Sequence, residues 1–263
     1  MKITLLGVGG SAGLPQIGGA DGTGDWGLCN PSEPRNRRTR SSIVIETSDS
    51  KRILVDTSPD LRLQLTAARI PRIDAIIFTH AHADHIAGLD EVRILNRIAG
   101  RPLPAYADER TWSELHARFD YAFKPWTPPA FYRPVMDVHL IQPGQTMDIA
   151  GENIIFFNQD HGFIPSLGLR MGDIAYSTDV VRLDDAALAA LAGIKIWVVD
   201  CFTAGPPHPT HANIDQVLAW AAKLKPTRVI LTHMGPDMDY ASLCANLPPG
   251  IEPGFDGMII EAA

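Results

Sequence analysis

Three histidines and a carboxylate, His80, His82, Asp84 and His85, fall within six residues, directly after the strand-like run Asp74–Thr79. The chain has only 9 histidines in 263 residues, so a third of them lie in this one segment. Imidazole nitrogen and carboxylate oxygen are the donors that suit zinc, manganese and ferrous iron. In an extended chain His80 and His82, two apart, share one face. Asp84 and His85 follow where a helix begins, so they can turn toward the same point from another side. A fold that accepts this segment must end a strand at a metal site and bring further donors from afar.

The same signature, a polar donor just after an apolar strand, recurs three times. His161 follows Asn153–Asn158, Asp179 follows Ile174–Ser177, and His233 follows Arg228–Thr232. In open α/β arrangements, sites form at strand ends. The run Val229–His233 also parallels Ile76–His80, and strands precede helices in both halves. Two β-rich halves packed face to face, with helices outside, are therefore expected. No composition shift marks a linker, so residues 1–263 are expected to form one domain.

Periodicity and turn signals place further strands at Ile3–Val8, Ser42–Thr47, Arg52–Asp56, Ala105–Ala107, Ser166–Met171, Lys195–Asp200 and Met258–Ile260. Helices are expected over Pro59–Ala68, Ile86–Ile98, Thr111–Phe119, Leu183–Ala192 and Ile214–Lys223. Asp56, at a strand end, is expected to orient a ligand imidazole.

Some of these residues have plainer readings. Asp179 alone could cap a helix over 180–192, and His211 could cap the helix that starts near Ile214. The glycine-crowded loop Gly9–Gly27 lacks the Lys-Ser or Lys-Thr of a P-loop; it could cradle phosphate or simply be long. The basic run Arg35–Arg40 reads as a solvated loop before it reads as an anion-steering surface. Residues 121–134, rich in proline and aromatics, read as a lid or a homodimer contact.

The ordered set His80-x-His82-x-Asp84-His85, His161, Asp179 and His233 resembles the motif set of the metallo-β-lactamase fold. That resemblance implies a four-layer αββα sandwich with two divalent metal ions, zinc or manganese, with iron as a further option. It implies one metal on His80, His82 and His161, the other on Asp84, His85 and His233, and Asp179 between them. Asp179 stands where β-lactamases of this fold carry cysteine, which favours phosphodiester or thioester hydrolysis over lactam hydrolysis. Gly7–Pro15, Arg37–Ser42, Asp200-Cys201, His211-x-Asn213 and Gly254–Met258 look like the phosphodiesterase of the carbon–phosphorus lyase pathway, which opens a cyclic ribose phosphate. The start of the chain is also similar to pyrroloquinoline-quinone biosynthesis protein B. The first of these implies His211 as proton donor. His208, close by in the sequence, is the competing donor, and Asp84 joins His211 in the candidate catalytic set. Members often carry a structural zinc on loop cysteines and a histidine three residues after the last ligand. Here only Cys29 remains and position 236 is proline, so that zinc is not expected.

The net charge of −7 argues against broad binding of extended nucleic acid, which wants a basic face, but leaves room for a small phosphodiester or nucleotide. For the same reason a tRNA processor of the ribonuclease Z kind is the weaker alternative; a thioester or lactone hydrolase, and a metal-dependent accessory protein of cofactor biosynthesis without turnover, are others. Three cysteines without a CxxC pair fit a reducing cytoplasm. No apolar run approaches the ~20 residues of a membrane span.

Overall fold

The computed structural model describes residues 1–261 and contains two seven-stranded sheets. The first sheet takes β1 (Lys2–Gly7), β2 (Ser42–Glu46), β3 (Arg52–Val55), β4 (Ala75–Ile77), β5 (Leu103–Ala107) and β6 (Met136–Leu140) in spatial order. The second takes β7 (Thr146–Ile149), β8 (Glu152–Asp160), β9 (Pro165–Met171), β10 (Ile174–Ser177), β11 (Ile196–Asp200), β12 (Arg228–Thr232) and β13 (Ile251–Pro253), also in order. The last strand, β14 (Ile259–Glu261), returns to the first sheet beside β1. Strands β3 to β6 run parallel, as do β10 to β13.

Side-chain alternation explains the layering. On β2 and β3, Ile43, Ile45, Ile53 and Val55 face the core between the sheets, where they meet Ile154, Phe156, Leu167 and Leu169. Their neighbours Val44 and Leu54 face the opposite way, as a strand's period of two requires. That outer face is covered by α1 (Leu61–Ala67), α2 (Ala83–Ile86), α3 (Val92–Ala99) and α4 (Glu109–Arg118), through Leu61, Ile86, Leu95 and Leu115. The second sheet is covered by α5 (Asp185–Leu191), α6 (Ile214–Leu224) and α7 (Tyr240–Asn246), through Leu191, Val217 and Leu243. The result is the four-layer αββα sandwich.

The helix expected over Ile86–Ile98 is broken. A 3-10 turn at Leu89–Glu91 separates α2 from α3. Gly88 is the cause: its N–H donates to the Thr57 carbonyl at 2.9 Å, and a Cβ there would stand 1.9 Å from the Ser58 carbonyl oxygen. The chain must pass this close to the end of β3, and only glycine allows it. The segment 121–134 packs onto α4, with Phe123 against Trp112 and His116 and Trp126 stacked on Phe131. It does not line the histidine-rich cavity described below.

Candidate metal centre

Every donor singled out in the sequence comes to one edge of the sandwich, at the carboxyl ends of strands. His80 and His82 follow β4, His161 follows β8, Asp179 follows β10 and His233 follows β12. Three strand-end residues adopt left-handed backbone: Asp56 at φ 65°, Asp179 at φ 50° and His233 at φ 54°. Aspartate and histidine tolerate that region better than most residues. The kink stops each strand and turns its side chain into the space between the sheets.

The donors form two adjoining groups that share Asp179. One is His80, His82, His161 and Asp179; the other is Asp84, His85, Asp179 and His233. In the first, His80 Nε2 and His161 Nε2 lie 3.6 and 3.5 Å from Asp179 Oδ2, and His161 Nε2 lies 3.0 Å from His82 Nδ1. In the second, His85 Nε2 lies 3.1 Å from Asp179 Oδ1, while His233 Nε2 lies 3.4 Å from both Asp84 Oδ2 and Asp179 Oδ2. Of the seven, only His82 is exposed.

The surrounding residues fix which imidazole nitrogen is free. His161 Nδ1 donates to the Thr210 carbonyl at 2.7 Å, so Nε2 keeps its lone pair. Asp56, fully buried, accepts from the Thr79 N–H (2.8 Å) and hydroxyl (2.7 Å) and from His85 Nδ1 (2.8 Å). The Thr79 hydroxyl proton is thus committed to Asp56, and the hydroxyl oxygen accepts from His80 Nδ1 at 3.0 Å. The Nε2 atoms of His80 and His85 are left buried without a hydrogen-bond partner. Unpaired buried polar atoms are costly, so two aimed at a carboxylate call for a cation between them. The donor set therefore fits divalent metal ions.

Electrostatics agree. Burial, then the neighbouring imidazoles, hold His80 well below its ordinary pKa; His82 and His161 are lowered for the same reasons. Neutral imidazole is the form that binds a metal. Burial would push Asp84 and Asp179 up, but His85 and His233 outweigh it and keep both carboxylates well below the usual range. His85 is the reverse case: burial opposes its charge, yet Asp179, Asp84 and Asp56 raise it.

Beside the donors a cavity of about 440 Å³ opens, lined also by Ser11, Phe202, His208, Thr210 and His211. His211 does not cap α6; Asn213 does, in a capping box with Gln216. Nor does Asp179 cap a helix, because α5 begins at Asp185 with Asp184 as its cap. His211 Nδ1 instead donates to Asp200 Oδ2 at 2.8 Å, and its ring stacks 4.6 Å from His233 and lies 4.8 Å from His161. Burial disfavours the imidazolium, but Asp200 overrides it and pushes the pKa up to about 9. His208 also lines the cavity, its ring 5.2 Å from His211 and 5.0 Å from Phe202, with Nδ1 turned to Thr210 and a lowered pKa from its burial.

Asp200 was not read from the sequence as a site residue. Its signal was present, since it closes β11 much as Asp56 follows β3. The basic run is absorbed elsewhere: Arg35 pairs with Glu33, Arg40 with Asp60, and Arg38 is buried against the carbonyls of Gly235 and Met238 and the Asn36 side chain. Cys29 lies 3.4 Å from the Pro236 carbonyl in that same corner.

Residues 51–234 match the family model described as beta-lactamase superfamily domain. The chain belongs to the metallo-β-lactamase superfamily. Within that superfamily it is similar to the solved structure of a new diphosphatase from the PhnP family, at 35% identity and a TM-score of 0.88, covering 100% of this chain and 98% of that one. It is 29% identical over 262 residues to an octanoyltransferase of Porphyromonas gingivalis, which takes in 98% of this chain but 51% of that protein. The chain thus spans about half the length of that relative. It is 28% identical over 221 residues to the anti-Pycsar protein Apyc1 of Bacillus phage 010DV004, across 76% of this chain and 84% of that protein. Fold, family and donor set together give this chain the metallo-β-lactamase fold with a cluster of side chains suited to divalent metal. Among the described residues, no helix is long and apolar enough to cross a membrane.

Proposed function

We propose that this chain is a binuclear metal-dependent phosphodiesterase acting on a small nucleotide or ribose phosphodiester, cyclic or linear. The observation that supports this best is the pair of donor groups joined at Asp179, with the Asp200–His211 pair at the open side. Two divalent cations, zinc or manganese, held by the seven donors would neutralise charge on the phosphate oxygens and lower the proton affinity of the attacking water.

The remaining work falls to the chain itself. His211 Nδ1–H is committed to Asp200, so the proton available for donation sits on Nε2. An imidazolium raised to about 9 is filled at neutral pH and can protonate a departing alkoxide. Phe202 and His208 wall that side of the cavity and shield the leaving oxygen from water. Acyl transfer, the activity in the name of the P. gingivalis relative, is not carried over: the donor set suits metal-assisted hydrolysis, and the chain spans only half of that protein.

A second reading, diphosphate hydrolysis, is favoured by the diphosphatase at 35% identity. Its leaving group is a phosphate, which departs without a proton. The two readings separate on whether wild type turns over alkyl phosphodiesters or diphosphates with the higher kcat/KM. With zinc or manganese, wild type should hydrolyse bis-p-nitrophenyl phosphate and His82→Ala should not. His211→Ala should slow alkyl phosphodiesters about 10²–10⁴-fold while sparing p-nitrophenyl esters and diphosphates. No turnover with any metal would overturn the hydrolase reading and favour a binding protein. Equal losses on all substrates would remove His211 as the donor.

A further inference from the structure

The two sheets end in β14 and β6 on one side and in β13 and β7 on the other. An open edge presents unpaired N–H and C=O groups that another strand can take up, and proteins blunt it with short strands, proline, lysine or bulges. β13 and β14 are three residues long, β13 closes on Pro253, and β7 has four residues. β6 has five, with neither proline nor lysine, and its register on β5 runs unbroken from Met136 to Leu140. It leaves Val138 43% and Leu140 49% exposed. Its free side can be assigned residue by residue. The Leu103 N–H donates to the Val135 carbonyl at 3.2 Å, and the Ile141 N–H donates to the Ala107 carbonyl at 2.8 Å. Successive residues of a strand turn their backbone groups to opposite sides, so Val135, Asp137, His139 and Ile141 face β5. The N–H and C=O groups of Met136, Val138 and Leu140 point away from it, and among the described residues they have no partner.

We propose that β6 pairs antiparallel with β6 of a second copy of this chain, joining the two first sheets into one across a twofold axis at Val138. In that register the strand is its own complement. Val138 meets the partner's Val138 and Met136 meets the partner's Leu140, so the residues with free backbone groups pair with one another and close about six hydrogen bonds. Asp137 meets the partner's His139 in the closer, non-hydrogen-bonded pairs, with Cα atoms about 4.5 Å apart. A carboxylate is thus set against an imidazole twice, a favourable cross-strand pair. The two side chains already reach each other along one strand, His139 Nε2 lying 3.2 Å from Asp137 Oδ2. An axis at Asp137 would oppose carboxylate to carboxylate, and one at His139 imidazole to imidazole, so the side chains select Val138. Val138 and Leu140, exposed in one copy, gain cover from the other.

The test is sedimentation equilibrium of the full, zinc-loaded chain over a wide concentration range. Wild type should move from the 28.6 kDa of one chain toward twice that mass. Val138→Pro removes an N–H that β5 does not use, so circular dichroism should show an intact fold while dimerisation weakens about tenfold or more, the effect of losing the central pair of hydrogen bonds. His139→Asp opposes like charges and should weaken it as well. Adding Asp137→His to His139→Asp exchanges the two and should restore part of the loss. Cross-linking fixes the location even if Val138→Pro does not fold. With the exposed Cys244 replaced by serine, mild oxidation should join two copies of Val138→Cys, whose Cα atoms would stand about 5.5 Å apart, and should not join Leu140→Cys. A wild type that stays a single chain at every concentration would overturn the proposal. So would a dimer undiminished by both Val138→Pro and His139→Asp, or one whose Val138→Cys variant forms no cross-link.

Discussion

Asp56→Asn should weaken metal binding at both donor groups at once without disturbing the fold. Asp56 sits at φ 65°, a conformation asparagine tolerates as well as aspartate does, and the two side chains are nearly isosteric. Its Oδ1 accepts the Thr79 N–H, so in the variant that position must remain oxygen. The amide nitrogen is then forced to the place of Oδ2, facing the Thr79 hydroxyl at 2.7 Å and His85 Nδ1 at 2.8 Å. An N–H₂ group cannot accept from either. His85 Nδ1 must become an acceptor, which moves its proton to Nε2, the atom that faces Asp84 and Asp179. The Thr79 hydroxyl, no longer able to donate to residue 56, turns its proton to His80 Nδ1 and drives that proton to Nε2 in turn. One ligand in each donor group is thereby put in the wrong tautomer. Loss of an outer partner of this kind typically costs 10–100-fold in metal affinity, or about 1.4–2.8 kcal/mol per site. Competition against a chromophoric chelator measures both dissociation constants, and circular dichroism checks the fold. Wild-type affinity at both sites in a folded Asp56→Asn protein would refute the tautomer argument.

Three further outcomes follow from the same geometry. Asp200→Asn removes the charge that raises His211 to about 9. A general acid is active below its pKa and spent above it, so with a poor leaving group the alkaline fall of kcat should move to lower pH; an unmoved limb would exclude Asp200 as the cause. Gly88→Ala places a Cβ 1.9 Å from the Ser58 carbonyl, and overpacking of this kind costs about 1–3 kcal/mol. At about 2–4 °C per kcal/mol for a chain of this size, a calorimetric scan should show a clearly lowered Tm. Removing metal by chelation should also lower Tm, because metal at 100 times its Kd stabilises by about 2.7 kcal/mol per site; an unchanged Tm would mean that the buried donors do not hold the ion.

The convergence of the candidate donors was legible because each follows an apolar strand, and strand ends are where an open sheet exposes side chains to a common point. His80 and His233 even end matching runs in the two halves. What supports them was harder to read. The Thr210 carbonyl that orients His161 is main chain and has no residue signature. The Asp200–His211 pair joins a strand end to a loop eleven residues later, a separation no periodicity encodes. The conspicuous Arg35–Arg40 run drew attention to a place where the arginines bind the chain itself. Strands β6 and β7 were missed because they are sheet edges with mostly uncovered side chains and little apolar alternation. The break after α2 went unread because the reason for Gly88 lies in Ser58, thirty residues earlier.

Anomalous diffraction from crystals of the zinc- or manganese-loaded protein tests the central claim most directly. Two metal peaks are expected, one among His80, His82 and His161 and one among Asp84, His85 and His233, with the Asp179 carboxylate between them. A single peak, metal bound elsewhere, or an Asp179 side chain turned away from both groups would contradict it.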